Sequence, residues 1–581
     1  MPEITVNDFL GGRDTRNHQL LIDANKCASG SYNVWAPNGS LTKSPGVVQL
    51  SALNATASPV VSFYYDSVVI STLDTYYRAN HRDAPSTNLG GLALFAALGT
   101  GGILTSLGYT TGTVSISGAS LISATGSGTT WASHVSAGDN FSVSSTGEFI
   151  WVKIASVEDN THLTLSNPVT AAVASGTTYI AAQTLDRTEV TWASLNGFIW
   201  SCSLDNVLQQ FNGSGVLRVI SSPKAAILQV HKNYLFAART NTAESRLYWS
   251  AIKDPTSWPT NNFIDIDKNV GKISGLFSYG NELIIFKNFG IYKLIGEIFD
   301  SSNPSYSVVP IITPKSFFFN GNNSIAIYKG QLIFLALDGI YVYRHGTNSI
   351  EKISLFWERT SIPNILEDVS SFTGVDQRIY AVSFQNNYII RGIRGPSLYS
   401  GSYQNSAGIL DNRGAWWAVE VDDSAYADRI FGRTPMMIQP DKNGVTRILI
   451  LFNEAQSKIL EWDFNDPRGT NSLAVKTLAI NSRWVSKEFN IDFGWFDKLI
   501  IYLEKQTAGN LTVEHSIDQG SFISNTVSMT TGKGNLIRTV LDINQKGSTI
   551  QVRFSNNVVN QNFNIFGFKI KYEKQEESYR R

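Results

Sequence analysis

The stretch LFSYGNELIIFKNFGIYKLIG, Leu276 to Gly296, decides the fold. Gly280-Asn281 and Asn288-Phe289-Gly290 cut it into three short runs rich in aliphatic and aromatic residues, each far too short for a helix. The middle run, between Glu282 and Lys287, is apolar on successive positions rather than on alternate ones. Such a strand has to be covered on both faces. The order of turn, apolar strand, turn and aromatic strand closed by Gly recurs in IAIYKGQLIFLALDGIYVYRHG from Ile325, with turns at Lys329-Gly330 and Asp338-Gly339, and in FTGVDQRIYAVSFQNNYIIRG from Phe372. Related phrases start at Ser62, Ala193 and Leu228. From Leu228 onward the copies begin about 45–50 residues apart, the spacing of four-stranded propeller blades. A blade buries its two apolar faces only against its neighbours, so the copies predict a closed ring of about six or seven blades. The alternative is a set of antiparallel sandwich strands that resemble one another because hairpins do.

Composition agrees with an all-β chain. Charged residues make up 16% of the 581 residues, aromatics 12%, and there are 46 glycines. No window carries apolar residues at helical spacing with a charged opposite face, which predicts very little helix. Lys+Arg and Asp+Glu are equal at 47 each, so no overall field draws the chain to nucleic acid or anionic lipid. Cys27 and Cys202 are too few for a disulfide framework or a four-thiolate zinc site, and the first 14 residues carry acids and a base instead of a secretory apolar core. Folding in a reducing compartment is the expectation.

The rhythm places boundaries. Residues 1–57 read as an N-terminal arm with first strands, 58–107 as a first blade, 108–183 as an inserted Ser/Thr/Gly-rich β-domain, 184–477 as the rest of the propeller, and 478–581 as a C-terminal β-sandwich with a charged tail. The insertion begins in a run from Ala84 to Gly138 with no Asp, Glu, Lys or Arg. Within it, Leu89 to Tyr109 is about long enough to span a bilayer. Its glycines and the lack of a basic flank favour a buried blade strand instead. In the last segment, LTVEHSI and FGFKIKYE alternate with period two, as expected of strands with one polar face.

Chemical motifs are sparse. Asp265, Asp267 and Asn269 have the first three spacings of a calcium loop, but Val270 stands where Gly is needed and Leu276 where the bidentate Glu belongs. The seven histidines, His18, His81, His134, His162, His231, His345 and His515, are dispersed without zinc spacing. Glycine-rich GGRD at Gly11 and GSGTT at Gly126 lack the lysine and helix of a phosphate cradle. Asp254, Asp265, Asp338 and Asp376 are the carboxylates that a glycosidase propeller would place around its channel, yet each sits in a turn, where Asp serves the backbone. No enzyme, no cofactor and no metal is expected. Trp484 and Trp495 are the candidates for stacking on a sugar, with a core role as the plainer alternative.

RLYWSAIKDPTSWPTNNFIDI, Arg246 to Ile266, followed by ISGLFSYGNELIIFKNFGIYKL resembles a blade pair of tailed-bacteriophage tail and neck proteins, the β-propeller nozzle proteins of short-tailed phages (tail tubular protein B type). The arm from Asp8 to Leu50 is similar to that family's arm in its Gly11-Gly12 start, its Asn33-Val34 strand and its Lys43 to Gly46 close, although Ser44-Pro45-Gly46 stands where members often have Arg-Pro-Gly. The resemblance covers the arm and the propeller. It implies a structural virion protein, assembled in the host cytoplasm, that forms a homohexameric ring below the portal and adaptor, carries tail fibres or distal tail proteins, and passes double-stranded DNA without specific binding. A neutral chain suits a conduit, because each neutralised phosphate would slow the passage. The lumen residues are not legible. The arm, with apolar anchors Leu20, Leu21, Val34 and Trp35, is expected to dock upward or on a neighbour. A head-completion stopper that retains packaged DNA is the nearest alternative, and a receptor- or glycan-binding propeller the next.

Overall fold

The computed structural model describes residues 1–12, 20–28, 31–51, 60–66, 75–81, 92–98, 104–107, 109–143, 152–182, 191–204, 207–211, 216–297, 305–313, 319, 322–336, 339–353, 380–396, 403–419, 436–440, 446–452, 458–464, 470–472, 477–532 and 534–575. The chain is all-β. Among the described residues the helical content is one four-residue turn, Trp131–His134, and three 3-10 turns, Lys268–Val270, Asn322–Ser324 and His345–Thr347.

Among the described residues six four-stranded antiparallel sheets follow one another along the chain, each a meander: sheet I (residues 60–107), II (191–219), III (227–265), IV (273–311), V (326–352) and VI (380–419). A six-stranded sheet VII takes in residues 436–479 and one strand from the arm. The stretch from Leu276 supplies most of sheet IV, as strands Ile273–Tyr279, Glu282–Lys287 and Gly290–Glu297. The hairpins joining first to second strands are set by backbone: Asn196-Gly197, Lys232-Asn233, Lys329-Gly330 and Gln385-Asn386 all have positive φ at both positions. That geometry matches the right-handed twist of the flanking strands.

Burial explains the apolar second strands. In Glu282–Lys287, Leu283 and Ile285 pack into the core shared with Phe236 and Trp249 of sheet III, while Ile284 and Phe286 pack into the core shared with Phe334 and Tyr341 of sheet V. Gln331–Ala336 repeats the arrangement one sheet on, with Leu332 and Phe334 facing back and Ile333 and Leu335 facing forward. Each such side chain contributes roughly 1.5–3 kcal/mol on leaving water, and one sheet alone buries neither face. First strands of successive sheets lie side by side: Thr191–Leu195 by Ile227–His231, then Ile273–Tyr279, and Ala326–Tyr328 by Tyr380–Phe384, then Met436–Pro440, which meets Val60–Asp66 of sheet I. This is a β-propeller arrangement.

Two features depart from the expected boundaries. Strand Gly46–Ser51, assigned with the arm, is part of sheet VII: it pairs antiparallel with Lys458–Asp463, matching Gly46 to Asp463 and Val48 to Glu461, and in parallel with Thr470–Ser472 on its other side. Strand Thr477–Ala479 completes the same sheet and crosses the anticipated start of the C-terminal sandwich. The signal for the first is long-range pairing, which no local pattern carries.

Residues 113–182 form a separate seven-stranded sheet between sheets I and II, with its own core around Trp131, Phe141 and Tyr179. Leu92–Leu98 and Leu104–Leu107, from the long uncharged run, are neighbouring antiparallel strands of sheet I. No helix among the described residues is long and apolar enough to cross a membrane. A nine-stranded terminal sheet collects the strands after Ser482 and three strands from the arm, Glu3–Val6, Val34–Trp35 and Leu41–Lys43. Its longest strands, Phe489–Glu504 and Leu536–Asn556, shift register between Asn490 and Gly494 and between Phe496 and Lys498, which bends them.

Candidate assembly site at the arm

The arm folds back along its own chain. Glu3–Val6 adds to strand Asn564–Lys574 in register Glu3 to Lys571 and Val6 to Phe568, and the Lys569 ammonium pairs with Glu3 at 2.6 Å. Phe9 then enters the terminal core edge-on to Trp484, ring centroids 5.1 Å apart. At Gly12 the backbone has φ +66° and comes so near sheet VI that an added Cβ would sit 2.9 Å from the Trp416 amide nitrogen. Only glycine meets both demands. The Gly12 carbonyl accepts from both the amide of Cys27 at 2.8 Å and its thiol at 3.1 Å, which folds the arm into a closed loop.

The expectation that Val34 and Trp35 need a neighbouring molecule is overturned. Both are buried within the chain, in one continuous core that joins the arm, the terminal sheet and sheets VI and VII. Trp35 packs edge-on to Phe464 at 5.5 Å. Of the other two anchors, Leu20 is half-buried and Leu21 is 76% exposed.

A polar knot ties sheet VI to the arm. Asp411, 1% exposed, accepts hydrogen bonds from the amides of Arg413 (2.9 Å) and Ala415 (3.0 Å) and from the Trp417 indole (3.0 Å). It also holds the Arg413 guanidinium through Nε at 3.2 Å. Arg413 spans outward to the arm carbonyls of Pro37 at 3.0 Å and Ala36 at 2.5 Å. A buried carboxylate is tolerable here because every direction offers a donor. Tyr328 of sheet V donates to the Asp411 carbonyl at 2.6 Å, and burial pushes its phenol up to about 12. At strand Lys458–Asp463, the Trp462 indole donates to the Pro45 carbonyl at 3.0 Å.

Lys43 lies between these ties, 4% exposed. Its ammonium donates to the Val558 carbonyl at 3.3 Å, and burial pushes its pKa down to about 7. The neighbouring Ser44 hydroxyl is buried without a partner. Sequence reasoning singled out Lys43 to Gly46 only through family resemblance. The structure supplies the local reason, a crossing point from one sheet to another.

The chemical candidates do not converge. The Asp254 carboxylate caps its own turn at the Thr256 amide, 3.1 Å away. Asp265 forms a bidentate pair with Arg246, at 2.6 and 3.0 Å, which holds its carboxyl down at about 2. Asp338 and Asp376 lie outside the described residues. Asp267 caps the Lys268–Val270 turn through the Asn269 amide and accepts from Tyr292, so the calcium-like triplet is spent on local structure. Its backbone carbonyl and that of Ile266 receive the Lys287 ammonium, at 2.7 and 2.5 Å, and burial pushes Lys287 down to about 8. Among the described residues no three His, Cys, Asp or Glu side chains are grouped to hold a metal ion. Gly11 is a packed turn, whereas Gly126, expected in a turn, lies within strand Ser123–Ser127 paired to Val114; neither is an open cradle. Cys27 and Cys202 are both buried and form no disulfide with one another.

Of the histidines, His18 lies outside the described residues. His231 bonds Ser278 of the next sheet at 2.7 Å, and burial pushes it down to about 4. His515 is buried with its Nε2 unpartnered, while His162 pairs with Asp159 on an exposed turn. Trp484 takes the core role, the plainer of its two readings: it is fully buried between Phe9 and Phe554. Trp495 is 38% exposed, with the Lys546 ammonium 5.7 Å from its ring centre.

No protein-family model matches the chain, and no curated protein matches its sequence. Solved structures with a similar outline include an exo-β-1,3-galactanase from Phanerochaete chrysosporium bound to β-1,3-galactotriose, with TM-score 0.22 and 8% identity over 91% of this chain and 100% of that one. The Dos1 propeller gives TM-score 0.33 and 10% identity over 72% of this chain and 87% of that one. The N-terminal domain of Nup159 gives 0.29 and 11% over 61% and 90%. Scores this low carry no argument about activity.

Proposed function

We propose that the chain is a structural protein of a tailed-phage virion, a nozzle subunit whose homohexameric ring sits below the portal and adaptor and lets DNA pass. The observation that carries the reading is the continuous core joining the arm, the terminal sheet and sheets VI and VII. A conduit under the pressure of an exiting genome needs its modules fused, and Gly12 and Lys43 to Gly46, which lie where the arm meets the sheets, are among the residues by which the arm resembles that of nozzle proteins. In this reading sheets I to VII are seven blades of one propeller, and residues 113–182 are a lateral module available to adaptor or fibre. Leu21 and the outer arm surface provide the contact to a neighbouring subunit. The protein performs no catalysis and holds no cofactor, and its balanced charge lets duplex DNA slide.

Cryo-electron microscopy of the purified full chain, alone and with the adaptor ring of its virion, tests this. The expected result is a closed ring with an open axial channel wide enough for duplex DNA. A monomer that ignores the adaptor would overturn the proposal.

A further inference from the structure

An open cleft of about 870 Å³ lies between sheets IV and V, on the edge where the hairpins Gly280-Asn281 and Lys329-Gly330 emerge. Tyr279, Lys329, Gln331, Arg344, His345 and Glu351 line it. We propose that it is a saccharide-binding site, recognising sugar hydroxyls through the polar groups that flank Arg344.

The size falls within the roughly 300–1,000 Å³ of small-molecule sites. The lining is planar, polar and already fixed. Arg344 donates through Nε to Glu351 at 2.8 Å and through Nη1 to the Gln331 side-chain oxygen at 2.9 Å, so one guanidinium holds both neighbours in place. Gln331 and Glu351 stand on the strands either side of Arg344, so the Gln331 amide NH₂ and the remaining carboxylate lone pairs are a donor and an acceptor flanking the guanidinium, groups that sugar hydroxyls can meet. Tyr279 forms an aromatic wall. Its hydroxyl donates to the Gly330 carbonyl at 2.5 Å and its ring lies edge-on to Tyr343, centroids 6.2 Å apart. His345 is steadied from below by Glu282, 3.3 Å away, which also takes the Lys293 ammonium at 3.0 Å. A rim ordered in advance loses little entropy on binding.

Charge decides against a phosphate or nucleic-acid ligand. Arg344 is neutralised by Glu351 and the Lys293 ammonium by Glu282, leaving Lys329 as the one cation of the lining without a carboxylate partner among the described contacts. A Cβ at Gly330 or Gly346 would meet nothing within 4 Å, so both glycines border open space.

The test is a microarray of bacterial surface polysaccharides and their oligosaccharides, probed with the full-length chain, followed by titration calorimetry of the saccharides retained. The variants are Gln331→Ala, Glu351→Ala and, at an exposed aromatic outside the cleft, Trp495→Ala. The expected result is binding tighter than about 1 mM that Gln331→Ala and Glu351→Ala each weaken by about tenfold or more, with unchanged melting, while Trp495→Ala leaves it intact. No retained saccharide, binding indifferent to the cleft variants, binding lost with Trp495→Ala, or retention of inorganic phosphate in place of sugar would each overturn the proposal. The inference is independent of the ring: either can fail while the other stands.

Discussion

Replacing Lys43 by Met is expected to stabilise the core it occupies and to flatten that core's pH dependence. An amine in the unfolded chain titrates near 10.5, and in the folded chain burial lowers Lys43 to about 7. Between those values the unfolded state holds the extra proton, so stability rises with pH from about 7 to about 10.5; below about 7 both states are protonated and the slope vanishes. At ~1.4 kcal/mol per tenfold change in proton affinity, the gap is worth at most roughly 5 kcal/mol of destabilisation at neutral and acid pH. Met keeps the unbranched stem and removes the charge. It also strips the Val558 carbonyl of its donor, but Val558 is 43% exposed and water replaces the bond at a cost of about 1 kcal/mol. A net gain of about 2–4 kcal/mol at pH 6 follows. Urea unfolding of both proteins, followed by tryptophan fluorescence from pH 6 to 10, measures it. A wild-type midpoint that is flat across this range, or a Met variant no more stable than wild type at pH 6, would refute the reasoning.

Gly12→Ala should cost about 1–2 kcal/mol for its left-handed backbone alone, and more because the new methyl meets the Trp416 backbone; differential scanning calorimetry should show the core of arm, terminal sheet and sheet VI melting earlier. Arg413→Ala removes the span from Asp411 to the arm carbonyls and leaves a buried carboxylate short of a charge partner, a loss of about 3–5 kcal/mol visible as faster hydrogen exchange in residues 31–43. His231 is held neutral, its pKa lowered from 6.5 to about 4, so its share of stability is present above pH 6.5 and fades as the pH falls toward 4. His231→Asn should remove that part of the acid slope, roughly 3 kcal/mol, in melting temperatures recorded from pH 7 to 4.

The propeller sheets were legible because their signal is local. Glu282–Lys287 announces two-sided burial in six residues, and two-residue turns such as Lys329-Gly330 fix the hairpins around it. What the sequence withheld depends on distance along the chain. Nothing near Gly46–Ser51 says that its partner is Lys458–Asp463, and nothing near Val34-Trp35 says that the terminal sheet covers them. Apolar anchors in a turn-rich arm ask for a cover; only the fold says whether that cover is the same molecule. Trp484 and Trp495 make the same point at single residues: Trp484 is covered by Phe9 of the distant arm, and Trp495 stands in Phe489–Glu504, where register shifts change which face turns outward.

The union of Gly46–Ser51 with sheet VII has a consequence in time. Pro45 and Trp462, hydrogen-bonded partners, are 417 residues apart. At ribosomal rates of about 5–20 residues per second, the early strand waits roughly 20–80 s for its partner to emerge. Throughout that interval the last sheet has no closing strand and the early strand no ladder, which leaves exposed edges that invite pairing with other chains. Closure therefore reports that translation has passed Asp463: a chain cut short before that point keeps these edges open, cannot seal sheet VII, and presents itself for proteolysis instead of for assembly.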